Sequence, residues 1–427
     1  MTILIRNGRL VDPRNERDER VDILIKGDSI EKIDKNLSGA GADRVIDAEG
    51  LVVAPGLIDV HTHLREPGFE WKETIRTGTM AAARGGFTSV VCMANTDPVN
   101  DNKAVTEYIM EKARTEGVVR VFPCGAVTKG LKGEDLSEMG EMHASGAIAI
   151  SDDGKSVANA QLFLKAMEYA RLFNLAIICH CEEETLSHGF VHEGHASLLS
   201  GLDAVPSLAE EIIARRDIAL AEYVSSPVHI THISTAGTVR IIREEKTRGV
   251  SVTADTCPHY FTLTEEATLT YDTRAKVNPP LRSAADVAAI KEGLKDGTID
   301  IIATDHAPHD AISKDVEFNL ASSGISGLET ALALCLGLVE EGLLDLKGLL
   351  RKMTDNPARL LHLPLGHVAL GAPADLIVFS DRAEWTVDKA AFLSKGKNTP
   401  FDGREVRGKN LMTIVAGRIV YTDPEFR

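Results

Sequence analysis

Six side chains able to hold a divalent cation or move a proton stand out by where they fall. His61 and His63 sit two apart, just past the apolar run 56–60. On an extended strand, residues i and i+2 point to the same side, so both imidazoles can grip one cation. His180 ends the run 175–179, His232 follows 228–231, and Asp305 follows 300–303. Asp153, preceded by Asp152, follows the run 147–150. A single histidine at a strand end is most often a hydrogen-bonded core residue. A set of histidines and aspartates sharing one position relative to their strands points instead to a metal site. Imidazole and carboxylate together suit Zn²⁺, with Mn²⁺ and Fe²⁺ open. Such an ion lowers the pKa of water from about 15.7 to about 7 and polarises a carbonyl. Two ions about 3.5–4 Å apart require a bridging carboxylate, and Asp153 is placed for that role. Asp305 can ligate a metal and also carry a proton to a departing nitrogen.

These residues need a scaffold that gathers them from nearly the whole chain. Eight apolar runs, at 56–60, 88–93, 120–124, 147–150, 175–179, 228–231, 250–254 and 300–303, alternate with amphipathic stretches such as 159–173 and 208–224. Apolar strands alternating with helices indicate a buried parallel sheet. Eight such units over residues 55–363 predict a (β/α)8 barrel, whose strand ends converge on one face. A doubly wound open sheet is the alternative. The two chain ends have another texture. Residues 1–54 and 364–427 hold short alternating strands, such as Val21-Asp22-Ile23-Leu24-Ile25 and Met412-Thr413-Ile414-Val415-Ala416, separated by Gly and Asn turns. They predict one small β-sandwich-like domain built from both termini.

Composition narrows the partners. The chain has 427 residues and a formal net charge of −16. That balance argues against nucleic acid or an anionic membrane as partner. An anionic substrate must then be held by locally placed cations. The six cysteines form no C-x-x-C pair, so free thiols in a reducing cytoplasm are expected. The first residues lack the apolar stretch of a signal peptide, and no run approaches the roughly 20 apolar residues of a membrane span.

The motifs together resemble one family. Pro55-Gly56-Leu57-Ile58-Asp59-Val60-His61-Thr62-His63-Leu64-Arg65-Glu66-Pro67-Gly68 is joined by Asn95-Thr96-x-Pro98 and Cys257-Pro258-His259-Tyr260. Further along stand Asn278-Pro279-Pro280-Leu281-Arg282, Thr304-Asp305-His306-Ala307-Pro308-His309 and Asn398-Thr399-Pro400-Phe401. This pattern is similar to the amidohydrolase superfamily and, within it, to the class I dihydroorotases. That family closes N-carbamoyl-L-aspartate to dihydroorotate, reversibly, in pyrimidine biosynthesis. The resemblance implies that His61, His63 and Asp305 hold one zinc, that His180 and His232 hold a second, and that Asp153 bridges them. It implies Asp305 as the acid–base. Arg65, Asn95 and His309 would bind the substrate's carboxylate, Asn278 the pyrimidine ring, and His63 and the backbone at Ser323 and Gly324 the remainder. The chemistry agrees for Arg65, since a carboxylate-bearing ring needs a cation and Arg supplies a bidentate fork.

Several features test the resemblance. Hydantoinases and other relatives bridge their metals with a carboxylated lysine, but Ser151-Asp152-Asp153-Gly154 stands at the end of the fourth run. Lys155 is expected in a loop. Cys181 neighbours His180 and should face the opposite way. Asp59 reads equally as support for a metal ligand or as a structural hydrogen-bonding group. The stretch with His188, His192 and His195 reads as a flexible flap or solvated loop, and 154–158 as a mobile cover over the site. Arg65 speaks against an allantoinase or hydantoinase. The full ligand set speaks against an inactive scaffold for aspartate transcarbamoylase. An active enzyme in complex with that partner, or a homo-oligomer, fits the resemblance.

Overall fold

A computed structural model describes residues 1–39 and 41–426. Eight parallel strands form the central sheet: Leu57–Thr62, Phe87–Cys92, Arg120–Gly125, Ala149–Ile150, Ala176–Cys179, Val228–Ile230, Val252–Thr256 and Ile301–Ile302. Each pairs in parallel with the next. The first and last strands meet just past their ends. There Thr62 and His306 form a parallel bridge, and His63 N donates to His306 O at 2.8 Å. The sheet is a (β/α)8 barrel, and every strand overlaps its expected run.

Two apolar layers account for this closure. Ile58, Val60, Val91, Met93, Cys124, Ala149, Ile178 and Ala303 fill the interior, sealed from below by Ala358 and Leu361. Leu57, Val90, Val121, Ile177, Ile230 and Ile302 face outward onto Phe163, Ile213, Ile241, Ile290 and Leu349 of the surrounding helices. Strands buried on both faces read as continuous apolar runs for this reason. The helices show the matching period. In Ala160–Arg171 the buried positions are Phe163, Ala166, Met167 and Ala170, and the Asn159 side chain caps the N-terminus by accepting from Gln161 N and Leu162 N.

The chain ends build a second sheet. Its order runs Arg418–Thr422, Glu405–Val415, Leu376–Thr386, Val52–Pro55, Thr2–Asp12, Arg17–Lys26 and Ser29–Asp34, with Arg44–Asp47 also paired to Thr2–Asp12. N- and C-terminal halves join where Val53 faces Val378. Ile3, Ile5, Ile23, Ile25, Val53, Leu376, Val378 and Ile414 form its own core. Between the two sheets the chain passes through Gly56. A Cβ there would lie 2.1 Å from the Thr88 side chain, so only glycine permits the crossing.

One expectation fails in part. Of the stretch read as a flexible flap or solvated loop, His188 and His195 are exposed, but His192 is not. Val191–His192 pairs with Ala204–Val205, and His195–Ser200 is helical. His192 is buried, with Arg282 Nη1 3.3 Å from its Nδ1. The residue types are polar, but the buried guanidinium supplies a partner that the sequence pattern does not show. In the 154–158 stretch Val157 is buried and Ser156 Oγ donates to His180 O at 2.7 Å, while Gly154, Lys155 and Ala158 are exposed and Gly154 lines the cavity over the site.

Candidate metal centre and substrate pocket

All six expected metal-capable residues meet at the C-terminal mouth of the barrel, and all are buried. His63 Nε2 lies 3.0 Å from Asp305 Oδ1, and His61 Nε2 lies 3.6 Å from the same oxygen. His180 Nδ1 and His232 Nε2 are 3.0 Å apart. Asp153 stands between the two groups. Its Oδ1 is 3.2 Å from His61 Nε2, 3.4 Å from His232 Nε2 and 3.7 Å from His180 Nδ1. Its Oδ2 is 3.5 Å from His63 Nε2.

These spacings fit a cation. Four donors at about 2.0–2.1 Å around a tetrahedral Zn²⁺ lie about 3.3 Å from one another, within the range seen here. His61 Nε2 is buried and lacks a well-aligned hydrogen-bond partner. Burial opposes charge on the His61 ring, yet the carboxylates of Asp153 and Asp305 carry its pKa up to about 10. The cluster therefore calls for positive charge. His61, Asp153 and His232 form one triad of donors within 4.8 Å of one another, and His61, His63 and Asp305 form a second.

Neighbouring groups orient these donors. His61 Nδ1 is 2.8 Å from Thr231 Oγ1, whose hydroxyl donates to Asp255 Oδ2 at 2.8 Å. His63 Nδ1 lies 2.9 Å from Asn95 Oδ1. His180 Nε2 lies 2.9 Å from Glu182 Oε2, which also accepts from Asn278 Nδ2 at 3.1 Å. Such partners on the far ring nitrogen fix the tautomer and aim the other nitrogen at the ion. Asp59 binds the barrel's seam, accepting from His61 N and Thr304 N, each at 3.1 Å, and from Thr304 Oγ1 at 2.5 Å. Full burial, partly offset by these bonds, pushes its carboxyl up to about 7.

Glu182, Thr231 and Asp255 carry weight without a place in the sequence reading. Asp255 lies just beyond the seventh run, 250–254, so the rule that selects Asp305 also selects it. Glu182 is two residues after His180, the same spacing as His61 and His63. Thr231 offers no such signal. Cys181 packs into the apolar layer beneath the helices, away from the histidines, and Lys155 is exposed. Asp152 turns aside to hold the next loop, accepting from Val127 N and Thr128 N at 2.7 and 3.0 Å.

Above the cluster opens a cavity of about 430 Å³. Arg65, Asn95, Asn278, His309, Ser323 and Gly324 all line it, together with His63, Asp153, His180, His232 and Asp305. Arg65 reaches it from beyond the end of the first strand. The strand ends at Thr62, and Arg65 itself has φ 62°, so the extended backbone does not continue. The guanidinium donates to Pro308 O at 3.3 Å and sits 3.3 Å from His309 Nε2. It has no carboxylate partner among the described residues. Burial and the nearby Arg65 charge depress the His309 pKa to about 2, so that ring is neutral. Lys276 and Glu182 also line the cavity.

A family model described as Dihydro-orotase-like matches residues 50–238. A dihydroorotase from Geotalea daltonii is 54% identical over 422 residues, covering 99% of each chain. Another, from Geobacter metallireducens, is 53% identical, covering 99% of this chain and 100% of that one. The chain belongs to the dihydroorotase family. Among solved structures, L-hydantoinase (dihydropyrimidinase) from Arthrobacter aurescens superposes with a TM-score of 0.89 at 25% identity, covering 100% of this chain and 97% of that one. Dihydropyrimidinase from Brevibacillus agri gives 0.87 at 24%, covering 100% and 96%. These neighbours share the barrel and the terminal sheet. Dihydroorotases are metal-dependent amidohydrolases, in keeping with the clustered histidines and aspartates. Among the described residues, no helix is long and apolar enough to cross a membrane.

Proposed function

We propose that this chain interconverts dihydroorotate and N-carbamoyl-L-aspartate in pyrimidine biosynthesis, as a zinc-dependent dihydroorotase. Similarity to curated dihydroorotases along the whole chain supports the activity. The observation that carries the substrate is the unpaired Arg65 guanidinium in the same cavity as the histidine–carboxylate cluster. A neutral cyclic amide has no use for a half-buried guanidinium that forms no ion pair among the described residues, whereas a ring bearing a carboxylate pairs with it.

In this reading His61, His63 and Asp305 would hold one Zn²⁺ and His180 and His232 a second, with Asp153 as the carboxylate that would serve both. When bound, the metal polarises the amide carbonyl and acidifies a water. Arg65, with Asn95 and His309 beside it, holds the carboxylate and so fixes which ring carbonyl faces the cluster. Asn278 and the backbone at Ser323 and Gly324 border the ring. Asp305, held well below the usual carboxylate range, is ionised; burial opposes this, but the bond to His63 and the nearby histidines outweigh it. It accepts a proton from the attacking water and delivers it to the ring nitrogen as the C–N bond breaks. In the reverse direction it takes the proton from the carbamoyl nitrogen as the ring closes and water leaves.

Exposed apolar side chains, including Leu198, Leu199, Ile312 and Leu320, support a protein partner, either a second copy or aspartate transcarbamoylase. Gel filtration with and without that enzyme separates the two. The composition supports a cytoplasmic setting. Turnover of dihydroorotate by zinc-loaded protein, measured beside hydantoin and allantoin, tests the activity. Hydrolysis of the neutral rings without dihydroorotate turnover refutes it.

A further inference from the structure

A second cavity of about 430 Å³ adjoins the substrate pocket, and His309 lines both. Its walls carry Arg274, Lys314, Lys389, Lys395 and Lys397, against the carboxylates of Asp272, Asp310 and Asp315. Of these acids only Asp272 is in an ion pair among the described residues. Asp272 pairs with Arg274 at 2.8 Å, and Asp310 caps Ser313 N at 3.0 Å. Lys389 pairs with Asp402 at 3.1 Å.

Three ammonium groups remain without a carboxylate partner among the described residues. Lys314 donates to Thr273 O at 2.9 Å, Lys395 to Glu70 O and Lys397 to Phe392 O. Carbonyls satisfy hydrogen bonds without forming an ion pair, and the carboxylate pull that remains is longer range, from Asp272 on Lys314 and from Glu329 on Lys397. Lys314 is 7% exposed, and burial together with neighbouring Lys276 pushes its pKa down to about 7. An anion in the cavity would hold it charged.

The segment that carries two of these lysines also fixes His309. Asn398 Oδ1 accepts from His309 N at 2.8 Å. Gly396, between Lys395 and Lys397, presses on the same stretch, where a Cβ would lie 2.5 Å from Pro308 Cβ and 2.8 Å from His309 N. The backbone that carries these lysines is therefore fixed against the pocket wall, with the Lys395 side chain exposed and that of Lys397 half-buried.

We propose that this cavity is an anion vestibule, which gathers the carboxylate-bearing substrate at the pocket mouth before Arg65 and His309 take its carboxylate. The proposal rests on the reading of the neighbouring pocket as a site for a carboxylate-bearing ring. It answers a problem set by the chain itself. A net charge of −16 repels an anion at long range. At about 0.1 M salt the Debye length is about 10 Å. Within that distance the local lysines, not the net charge, set the potential.

The test uses full-length zinc-loaded enzyme, with Lys395→Gln/Lys397→Gln and Lys395→Glu/Lys397→Glu as variants. Turnover of dihydroorotate and calorimetric binding of N-carbamoyl-L-aspartate are each measured at low and high sodium chloride. The vestibule predicts that kcat/KM and affinity fall about tenfold in the glutamine pair at low salt, and further in the glutamate pair. It predicts kcat within about twofold of the parent, and a difference that shrinks as salt screens the charges. No loss at low salt overturns it, as does a loss that salt leaves unchanged or one that falls on kcat alone. Parent enzyme that binds N-carbamoyl-L-aspartate without turnover defeats the proposed activity, and the binding arm still decides the vestibule. Parent enzyme that does not bind it overturns the vestibule too.

Discussion

Replacing Thr231 by valine removes one oxygen from beneath the metal cluster and leaves the side-chain shape nearly unchanged. His61 Nδ1–H donates to Thr231 Oγ1 at 2.8 Å, because the threonine's own proton goes to Asp255 Oδ2. That ordering leaves the lone pair of His61 on Nε2, facing Asp153 and Asp305. Asp255 is anchored in turn. It accepts from His232 N at 2.7 Å and pairs with His229 Nε2 at 2.8 Å. The whole chain of bonds is buried, so water cannot replace a missing partner. In Thr231→Val the His61 Nδ1–H is left unsatisfied or the ring turns to the other tautomer. Either costs about 1–3 kcal/mol. Loss of such an outer partner lowers metal affinity by about 10–100-fold, and the two figures agree at about 1.4 kcal/mol per tenfold. Zinc affinity is read by competition with a chromogenic chelator, independently of turnover. Thr231→Ser keeps the hydroxyl and should restore most of the affinity. Wild-type affinity in Thr231→Val refutes the reasoning. So does serine binding zinc as weakly as valine, since the methyl and not the hydroxyl would then matter.

Other perturbations probe the remaining parts. Arg65→Met should lower kcat/KM for dihydroorotate by about 10–100-fold, the worth of a charge-assisted hydrogen bond, mainly through KM in steady-state assays. Asp305→Asn should cost about 10²–10⁴-fold in kcat, while calorimetry still detects N-carbamoyl-L-aspartate. Lys352 is buried with its ammonium donating to Ile299 O, and burial depresses its pKa from 10.5 to about 8. The fold thus favours the neutral amine. The penalty is full below pH 8, shrinks as pH rises, and is gone above the unfolded value near 10.5. That shift corresponds to about 3 kcal/mol, and the lost bond to Ile299 O takes back about 1 kcal/mol. Lys352→Met should therefore raise the urea midpoint at pH 6–7, by an amount that declines toward pH 10. A gain independent of pH would point to packing alone.

The barrel was legible because its strands are buried on both faces, which writes them as short apolar runs. The terminal sheet was legible because its strands alternate. Residues aimed at the mouth were legible where the strand end itself is polar, as at His180 and Asp305. What stayed hidden are groups whose meaning depends on a partner far along the chain. Glu182 gains its place from Asn278, 96 residues away, and His192 its burial from Arg282, 90 residues away. Thr231 looks like any strand threonine until His61, 170 residues before it, is placed against its hydroxyl.

The structural neighbours make the same distinction at the level of substrate. A hydantoinase superposes on this chain with a TM-score of 0.89 at 25% identity, so the barrel by itself does not select the ring. Selection must lie in side chains that leave the backbone path unchanged. In this chain the strongest candidate is Arg65, whose left-handed backbone lifts it off the first strand and into the cavity, where it forms no ion pair among the described residues. A charge so placed is unfavourable until an anion arrives. The proposed substrate's carboxylate would relieve that cost, and the relief would be available only to a ring that carries one. The same logic extends outward to Lys314, Lys395 and Lys397, which would begin at the pocket mouth the discrimination that Arg65 completes.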